Sequence, residues 1–344
     1  MKRASVLFVS GAPKGATKGQ QRYECFWRAL QNFSPTIGDV YFACPFSFPA
    51  DTMPDYADVI VLGFPVATDF KLPPHQLLIY DICDIWWVEG WHVNLAEQHK
   101  FWLDKCDIVT VVSDYLAYEI VKQTSKPLYI IPNATSFFNP ETFKIRPLPS
   151  DDFKVGYFFV GSHYNGQNWW ALTELAAVAH MKPDNPFYFF LATDRINPLG
   201  VMPFHLPPNV KVLATNEGID WKDVLQVLDS EPNVFWIGLI PYKPHPIGYA
   251  ASPIKAYDYL AFGFPVIAWN NSEVTKISPY LTEVIWGEVL ERLPEFHTAT
   301  MSLIAAVCYA ALEQHKPNIP TWGDRAIGDL WGKVIVPNLR RRQL

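Results

Sequence analysis

Short uninterrupted apolar runs recur along the chain, separated by stretches in which apolar residues return at helical spacing. In the first half the runs are Ser5–Ser10, Val40–Ala43, Val59–Gly63, Leu77–Tyr80, Ile108–Val112 and Leu128–Ile131. Runs of this length, apolar at successive rather than alternate positions, predict strands covered by helices on both faces. The helical spacing predicts helices over Gln20–Asn32, Val93–Lys105 and Asp114–Gln123. Periodicity lapses over Phe138–Asp152, where Pro140, Pro147 and Pro149 fall, and this segment is expected to be an interdomain linker. The alternation then restarts. Strands are predicted at Val155–Val160, Phe187–Leu191, Val210–Ala214, Val234–Ile240 and Val266–Ala268, and helices at Trp169–His180, Trp221–Leu228, Ile254–Phe262 and Ala299–Gln314.

Strands alternating with helices define an α/β protein built from βα units. Two such series predict two doubly wound Rossmann-like domains, over residues 1–145 and 153–325, with a cleft between them and a C-terminal segment 326–344. Open α/β sheets take their ligands beyond the carboxyl ends of the strands, so the loops there are the places to look for chemistry.

Length and composition agree with this picture. The chain has 344 residues, room for about two domains of roughly 150 residues each. Hydrophobic residues make up 49% and charged residues 18%, enough apolar side chain for two cores. The net charge of -6 argues against a dedicated nucleic-acid binder, which carries a basic stripe. Cys25, Cys44, Cys83, Cys106 and Cys308 form no C-x-x-C pair, so neither a zinc site nor a disulfide framework is expected, and a reducing cytoplasm fits. The apolar run near the N-terminus is too short for a secretory signal and reads as a first strand. No stretch is expected to reach the roughly 18 apolar residues that span a bilayer. Arg340–Arg342 is a solvated end or a contact for an anionic lipid surface.

The most informative run is Ser252-Pro253-Ile254-Lys255-Ala256-Tyr257-Asp258-Tyr259-Leu260-Ala261-Phe262-Gly263-Phe264-Pro265-Val266. Ser252 is expected as a helix N-cap with Pro253 at the first helical position, and Gly263 as the helix end. A helix start offers unpaired N–H groups and a positive dipole end to a diphosphate. Asp258, about one and a half turns in, is placed to accept hydrogen bonds from a ribose; the competing reading is a capped amphipathic helix with a solvated Asp.

This run resembles the donor-binding signature of GT-B glycosyltransferases of the bacterial polysaccharide type (glycosyl transferases group 1-like). Further segments share the likeness. Gly238–Lys243 resembles the strand and loop before the signature, and Asp107–Leu116 resembles the family's D-x-V-x-x-x-S-x-x-L element. Ile130–Ala134 resembles its P-N-G segment with Ala134 in place of Gly, and Thr321-Trp322 with Arg325 resembles its T-W-x-x-R. The family often carries a Glu eight residues before the ribose-binding acid; here that position is Ala250. The resemblance implies a nucleotide-sugar donor, UDP- or GDP-linked, held by the C-terminal domain through Ser252, Pro253, Ile254, Lys255 and Asp258. It adds Gly161, Ser162 and His163 of the loop after the first strand and Lys243 for the phosphates. Thr215, Asn216 and Glu217 are where the base is held.

In the N-terminal domain Tyr80–Trp87 resembles the family's Y-D-x-x-D-x-W element. A carboxylate at a strand's C-terminal end suits a general base for an acceptor hydroxyl, so Asp84 and Asp81 are the candidate catalytic residues. Either is alternatively a cap for the next helix, and the two share a face only if the turn is helical. Gly11–Gly19 is a weak phosphate-loop pattern, and Arg22 beside it is a candidate for the acceptor or phosphate side. No cofactor and no metal site are expected. The acceptor is expected to be a glycan or a lipid-linked glycan. Three rival readings are a glycosyltransferase for modified DNA bases, a nucleotide-sugar epimerase and a non-catalytic nucleotide-sugar-binding subunit.

Overall fold

The computed structural model describes residues 3–9, 21–33, 37–43, 57–63, 76–85, 87, 95–149, 152–162, 166–192, 206–215, 219–313 and 317–342. The loop Gly11–Gly19 therefore lies outside the described residues, as do His163, Asn216 and Glu217. The chain divides into two compact units. Unit 1 comprises Met1–Ser136, Ala250–Ser252 and Pro320–Leu344; unit 2 comprises Phe137–Tyr249 and Pro253–Ile319.

Unit 1 holds β1 (Ala4–Val9), α1 (Gln21–Gln31), β2 (Ile37–Ala43), β3 (Val59–Leu62), β4 (Leu77–Ile82), α2 (Ala96–Lys105), β5 (Ile108–Val111), α3 (Asp114–Ile120) and β6 (Leu128–Ile130). All pairings are parallel in the order β2-β1-β3-β4-β5-β6, so the winding direction reverses between β1 and β3. β3 and β4 are buried at every position, as their unbroken apolar runs require. α3 starts on a side-chain cap, the Ser113 hydroxyl accepting the Leu116 N–H at 3.2 Å. The C-terminal segment docks on this unit: Thr135 and Thr321 form a parallel bridge, and Trp322 meets Phe26 edge-on at 5.7 Å.

Unit 2 holds β7 (Lys154–Ser162), α4 (Gly166–Met181), β8 (Phe187–Ala192), β9 (Val210–Thr215), α5 (Trp221–Asp229), β10 (Val234–Pro241), α6 (Pro246–Ala250), α7 (Ile254–Ala261), β11 (Val266–Trp269), β12 (Thr282–Ile285) and α8 (Leu293–Leu312), the end of α6 being counted with unit 1. Its sheet is again wholly parallel, ordered β12-β11-β10-β7-β8-β9, and reverses between β7 and β10. The core is aromatic: Tyr157, Phe158, Phe159, Phe187, Phe189 and Tyr259 are almost fully buried. Residues 137–149 pack on this unit. Phe143 enters its core, and the Arg146 guanidinium lies 4.1 Å over the Phe264 ring while donating to the Phe262 carbonyl. After Ile335 the chain closes with α9 (Val336–Arg342), continuing a π-helical run Asp324–Ile335.

Three expectations need correction. β12, the sequence Thr-Glu-Val-Ile, was not expected, because it lacks an apolar run; its alternate residues Thr282 and Ile285 are buried and its pairing with β11 is regular. α8 begins six residues before the predicted Ala299, since Pro294 sits in its first turn, where a missing N–H costs nothing. The stretch Leu290–Leu312 does reach spanning length, with mean hydropathy 1.2. One face supplies Phe296, Ala299, Leu303 and Val307 to the unit 2 core, and the exposed face carries Glu295, Thr298, Met301, Ser302 and Tyr309.

Candidate functional site

The carboxyl ends of the unit 2 strands gather most of the residues expected to hold a donor. Gly161 and Ser162 close β7, and Lys243 lies exposed just beyond β10, on the two sides of the reversal point. α7 brings up Lys255 and Asp258. Gly161 is required by its surroundings: a Cβ there would meet the Phe159 ring at 2.7 Å and the Lys255 Nζ at 3.0 Å. The Lys255 ammonium rests 4.3 Å over the Phe159 ring, and among the described residues no carboxylate pairs with it. Burial pulls its pKa down to about 8, since nothing negative offsets the lost hydration. A half-buried cation held only by a ring face has unused capacity for an anion.

Asp258 is 6% exposed, one turn into α7. Gly263 ends that helix as expected, with φ +78°, and its Cα faces the Lys144 carbonyl so closely that a Cβ would lie 2.4 Å from it. The helix start differs from expectation. Pro253 is the cap residue, Ile254 is the first helical residue, and no side chain caps the end. The Ser252 hydroxyl is occupied elsewhere: it accepts the Asn133 backbone N–H at 3.0 Å, and the Asn133 Nδ2 donates to the Ser252 carbonyl at 2.6 Å. Ala250 contributes backbone only, its carbonyl accepting from the Ser113 hydroxyl at 2.7 Å.

In unit 1 the two candidate acids occupy different environments. Asp81, inside β4, is 1% exposed and fully engaged. Arg22 grips it in two-pronged fashion, Nε to Oδ2 at 2.8 Å and Nη2 to Oδ1 at 3.0 Å, and the Thr110 hydroxyl adds a bond to Oδ1 at 2.5 Å. The remaining Arg22 nitrogen reaches the Asn133 Oδ1 at 3.1 Å and the Pro132 carbonyl at 3.3 Å. Burial works against the Arg22 charge, yet Asp81 holds its pKa above the ordinary value. Neither partner has a free face for substrate. Tyr23 braces the same corner by donating to the Gly63 and Asp81 carbonyls.

Asp84 lies beyond the strand in a bend, not on a helical turn with Asp81. It is half-buried, and among the described residues its Oδ1 accepts the Ile85 N–H alone, at 3.0 Å. Burial pushes its pKa up to about 7, with that hydrogen bond pulling the other way. A carboxyl poised near neutrality suits proton transfer. Close by, Trp87 stacks on the buried His99 at 4.4 Å, and Tyr80 and Gln123 fix the imidazole. Residues missed by sequence reasoning are Thr110, Phe159 and the side chain of Asn133. Only the P-N-A segment hinted at the last. Among the described residues no group of three His, Cys, Asp or Glu side chains is arranged to hold a metal ion.

The fold is the GT-B type, two Rossmann-like α/β units each with a six-stranded parallel sheet. Among solved structures the chain is similar to AviGT4, a glycosyltransferase involved in avilamycin A biosynthesis, with TM-score 0.54 and 12% identity over 99% of this chain and 97% of that one. It is similar to WaaG, a glycosyltransferase involved in lipopolysaccharide biosynthesis, with TM-score 0.53 and 12% identity over 93% and 94%. The N-terminal domain of Candida albicans trehalose-6-phosphate phosphatase shares the fold to the same degree, TM-score 0.53 at 9% identity over 99% and 97%. In sequence, 93 residues are 30% identical to the "Putative teichuronic acid biosynthesis glycosyltransferase TuaH" of Bacillus subtilis (strain 168), a stretch spanning 22% of this chain and 22% of that protein. No family model matches the chain.

Proposed function

We propose that the protein is a glycosyltransferase that takes a sugar from a nucleoside-diphosphate donor, UDP- or GDP-linked, and passes it to a hydroxyl of a glycan or lipid-linked glycan. The observation that carries this reading is the Lys255 ammonium, paired with no carboxylate among the described residues and set against Gly161 at the end of β7. A diphosphate is the anion that suits a cation beside a helix start and a strand end at the reversal point. In this reading the Lys255 and Lys243 side chains and the backbone N–H groups of Ile254–Lys255 and Gly161–Ser162 meet the leaving diphosphate, with no metal ion needed. Asp258 takes the ribose; the family resemblance assigns His163 to the phosphates and Asn216 and Glu217 to the base. Asp84 accepts the acceptor proton as the oxygen attacks the anomeric carbon. The TuaH likeness supports a glycan acceptor.

Calorimetry with UDP and GDP tests the donor half. One nucleotide is expected to bind, and Lys255→Met is expected to weaken it by about 1.5–3 kcal/mol, the worth of a hydrogen bond to a charged group. Wild-type affinity should fall as pH rises through about 8, where the ammonium loses its proton, and that step should vanish in the variant. The sign for the free protein is opposite. The folded-state pKa is depressed, so the cost of the buried charge builds as pH falls from about 10.5 to about 8 and is complete below that, and Lys255→Met should leave the free protein at least as stable at neutral pH. Equal nucleotide affinity in both proteins would remove Lys255 from the site.

A further inference from the structure

Arg22 and Asp81 look at first like substrate-binding residues, a guanidinium and a carboxylate near strand ends. Their partners point to a different task. The bonds run as a chain from β5 to the residues that precede α7: Thr110 to Asp81, Asp81 to Arg22, Arg22 to Asn133, and Asn133 to Ser252. Every step is between side chains or between a side chain and backbone, and Arg22, Asp81, Thr110, Asn133 and Ser252 are each less than 9% exposed. Ser113 adds a second tie, through the Ala250 carbonyl. The segment Ala250–Ser252 is thus held at both ends by unit 1, and the next residue is the cap of the helix carrying Lys255 and Asp258.

We infer that Asn133, oriented by the Arg22–Asp81 pair, is a positioning residue that fixes the 250–252 strap and through it the start of α7. Arg22 is suited to this because its planar fork orients two groups at once: the Asp81 carboxylate on one edge and the Asn133 amide oxygen on the other. With that oxygen accepting from Arg22, the Asn133 amide must turn its NH2 toward Ser252, so the pair sets which way the amide faces. The strap sits covalently before the N–H groups assigned to the diphosphate, so its geometry sets theirs. The inference rests on the proposed donor site for its effect on ligand, but not for its effect on the strap.

Asn133→Asp separates the two. The substitution keeps the shape and the acceptor facing Arg22, and replaces the NH2 that donates to the Ser252 carbonyl with an oxygen that repels it. Arg22→Lys is the companion variant, since it keeps the charge beside Asp81 and loses the fork. Hydrogen exchange of peptides covering residues 250–258 is measured in the free proteins, with nucleotide affinity by calorimetry. Asn133→Asp is expected to exchange about tenfold faster over this segment and to bind nucleotide about tenfold more weakly, each the effect of losing one net hydrogen bond. Acceptor KM and exchange in β7–β9 should stay at wild-type values. Arg22→Lys should repeat the pattern in weaker form. Wild-type exchange over 250–258 in Asn133→Asp would overturn the inference whether or not any nucleotide binds. Faster exchange with nucleotide affinity unchanged would overturn its link to α7. A wild-type protein that binds no nucleotide would bring down the donor site instead and leave the exchange result to decide the strap.

Discussion

Asp84→Asn is expected to lower turnover by about 10²–10⁴-fold, the usual contribution of a positioned general base, while nucleotide affinity stays at the wild-type value. The expectation follows from contrast between the two candidate acids. Asp81 has both oxygens committed to Arg22 and Thr110, whereas Asp84 has, among the described residues, a single backbone hydrogen bond and a pKa near 7. The wild-type rate should therefore fall below about pH 7 as the carboxyl takes up its proton, and the residual rate of the variant should lack that limb. Stability provides an independent check. The folded-state pKa is raised, so the fold favours the protonated acid: its stabilising effect is complete below the ordinary carboxyl pKa and is lost as pH rises through about 7. Moving a carboxyl that far corresponds to at most ~4 kcal/mol, and partial exposure screens it to about 2 kcal/mol. Asp84→Asn, neutral at all pH, should be more stable than wild type at pH 8 by about that amount, and no more stable at pH 4. Kinetics at saturating donor and thermal melts at both pH values read the two effects.

Asp81→Ala is expected to lose about 3–5 kcal/mol of stability, because it strands the Arg22 guanidinium, 2% exposed, without its counter-charge. Any loss of activity should follow the folded fraction, measured by denaturant titration, and the activity per folded molecule should stay within a few-fold of wild type. Asp81→Asn should lie between, since an amide retains one acceptor for Arg22. A hundredfold loss of turnover in Asp81→Asn with stability unchanged would transfer the base from Asp84 to Asp81.

These two residues show where the sequence was legible and where it was not. The strands could be read because a strand buried on both faces must be apolar at every position, and β3 and β4 are so. The second sheet could be read from the restart of the pattern near Val155. The α7 run could be read because a proline at the start, a glycine end and the following buried strand fall within 15 residues. What escaped depends on distant partners. Arg22 meets Asp81 across 59 residues and Asn133 meets Ser252 across 119, and no local pattern announces either. The Ser252 hydroxyl was read as a helix cap from its neighbours alone, while in the fold it is taken by a backbone N–H. The absence of a carboxylate partner for Lys255 among the described residues was equally hidden, since a lysine's counter-ion is decided by everything packed around it.

The central claim is transfer of a sugar from a nucleotide donor, and the most direct test follows the donor itself. Mass spectrometry of the protein incubated with the nucleotide sugar that it binds, together with a panel of glycan and lipid-linked acceptors, should show free nucleoside diphosphate appearing in step with one acceptor gaining the sugar's mass, and both appearing about 10²–10⁴-fold more slowly with Asp84→Asn. Donor recovered intact beside every acceptor, or converted to an isomer of the same mass, would contradict the account.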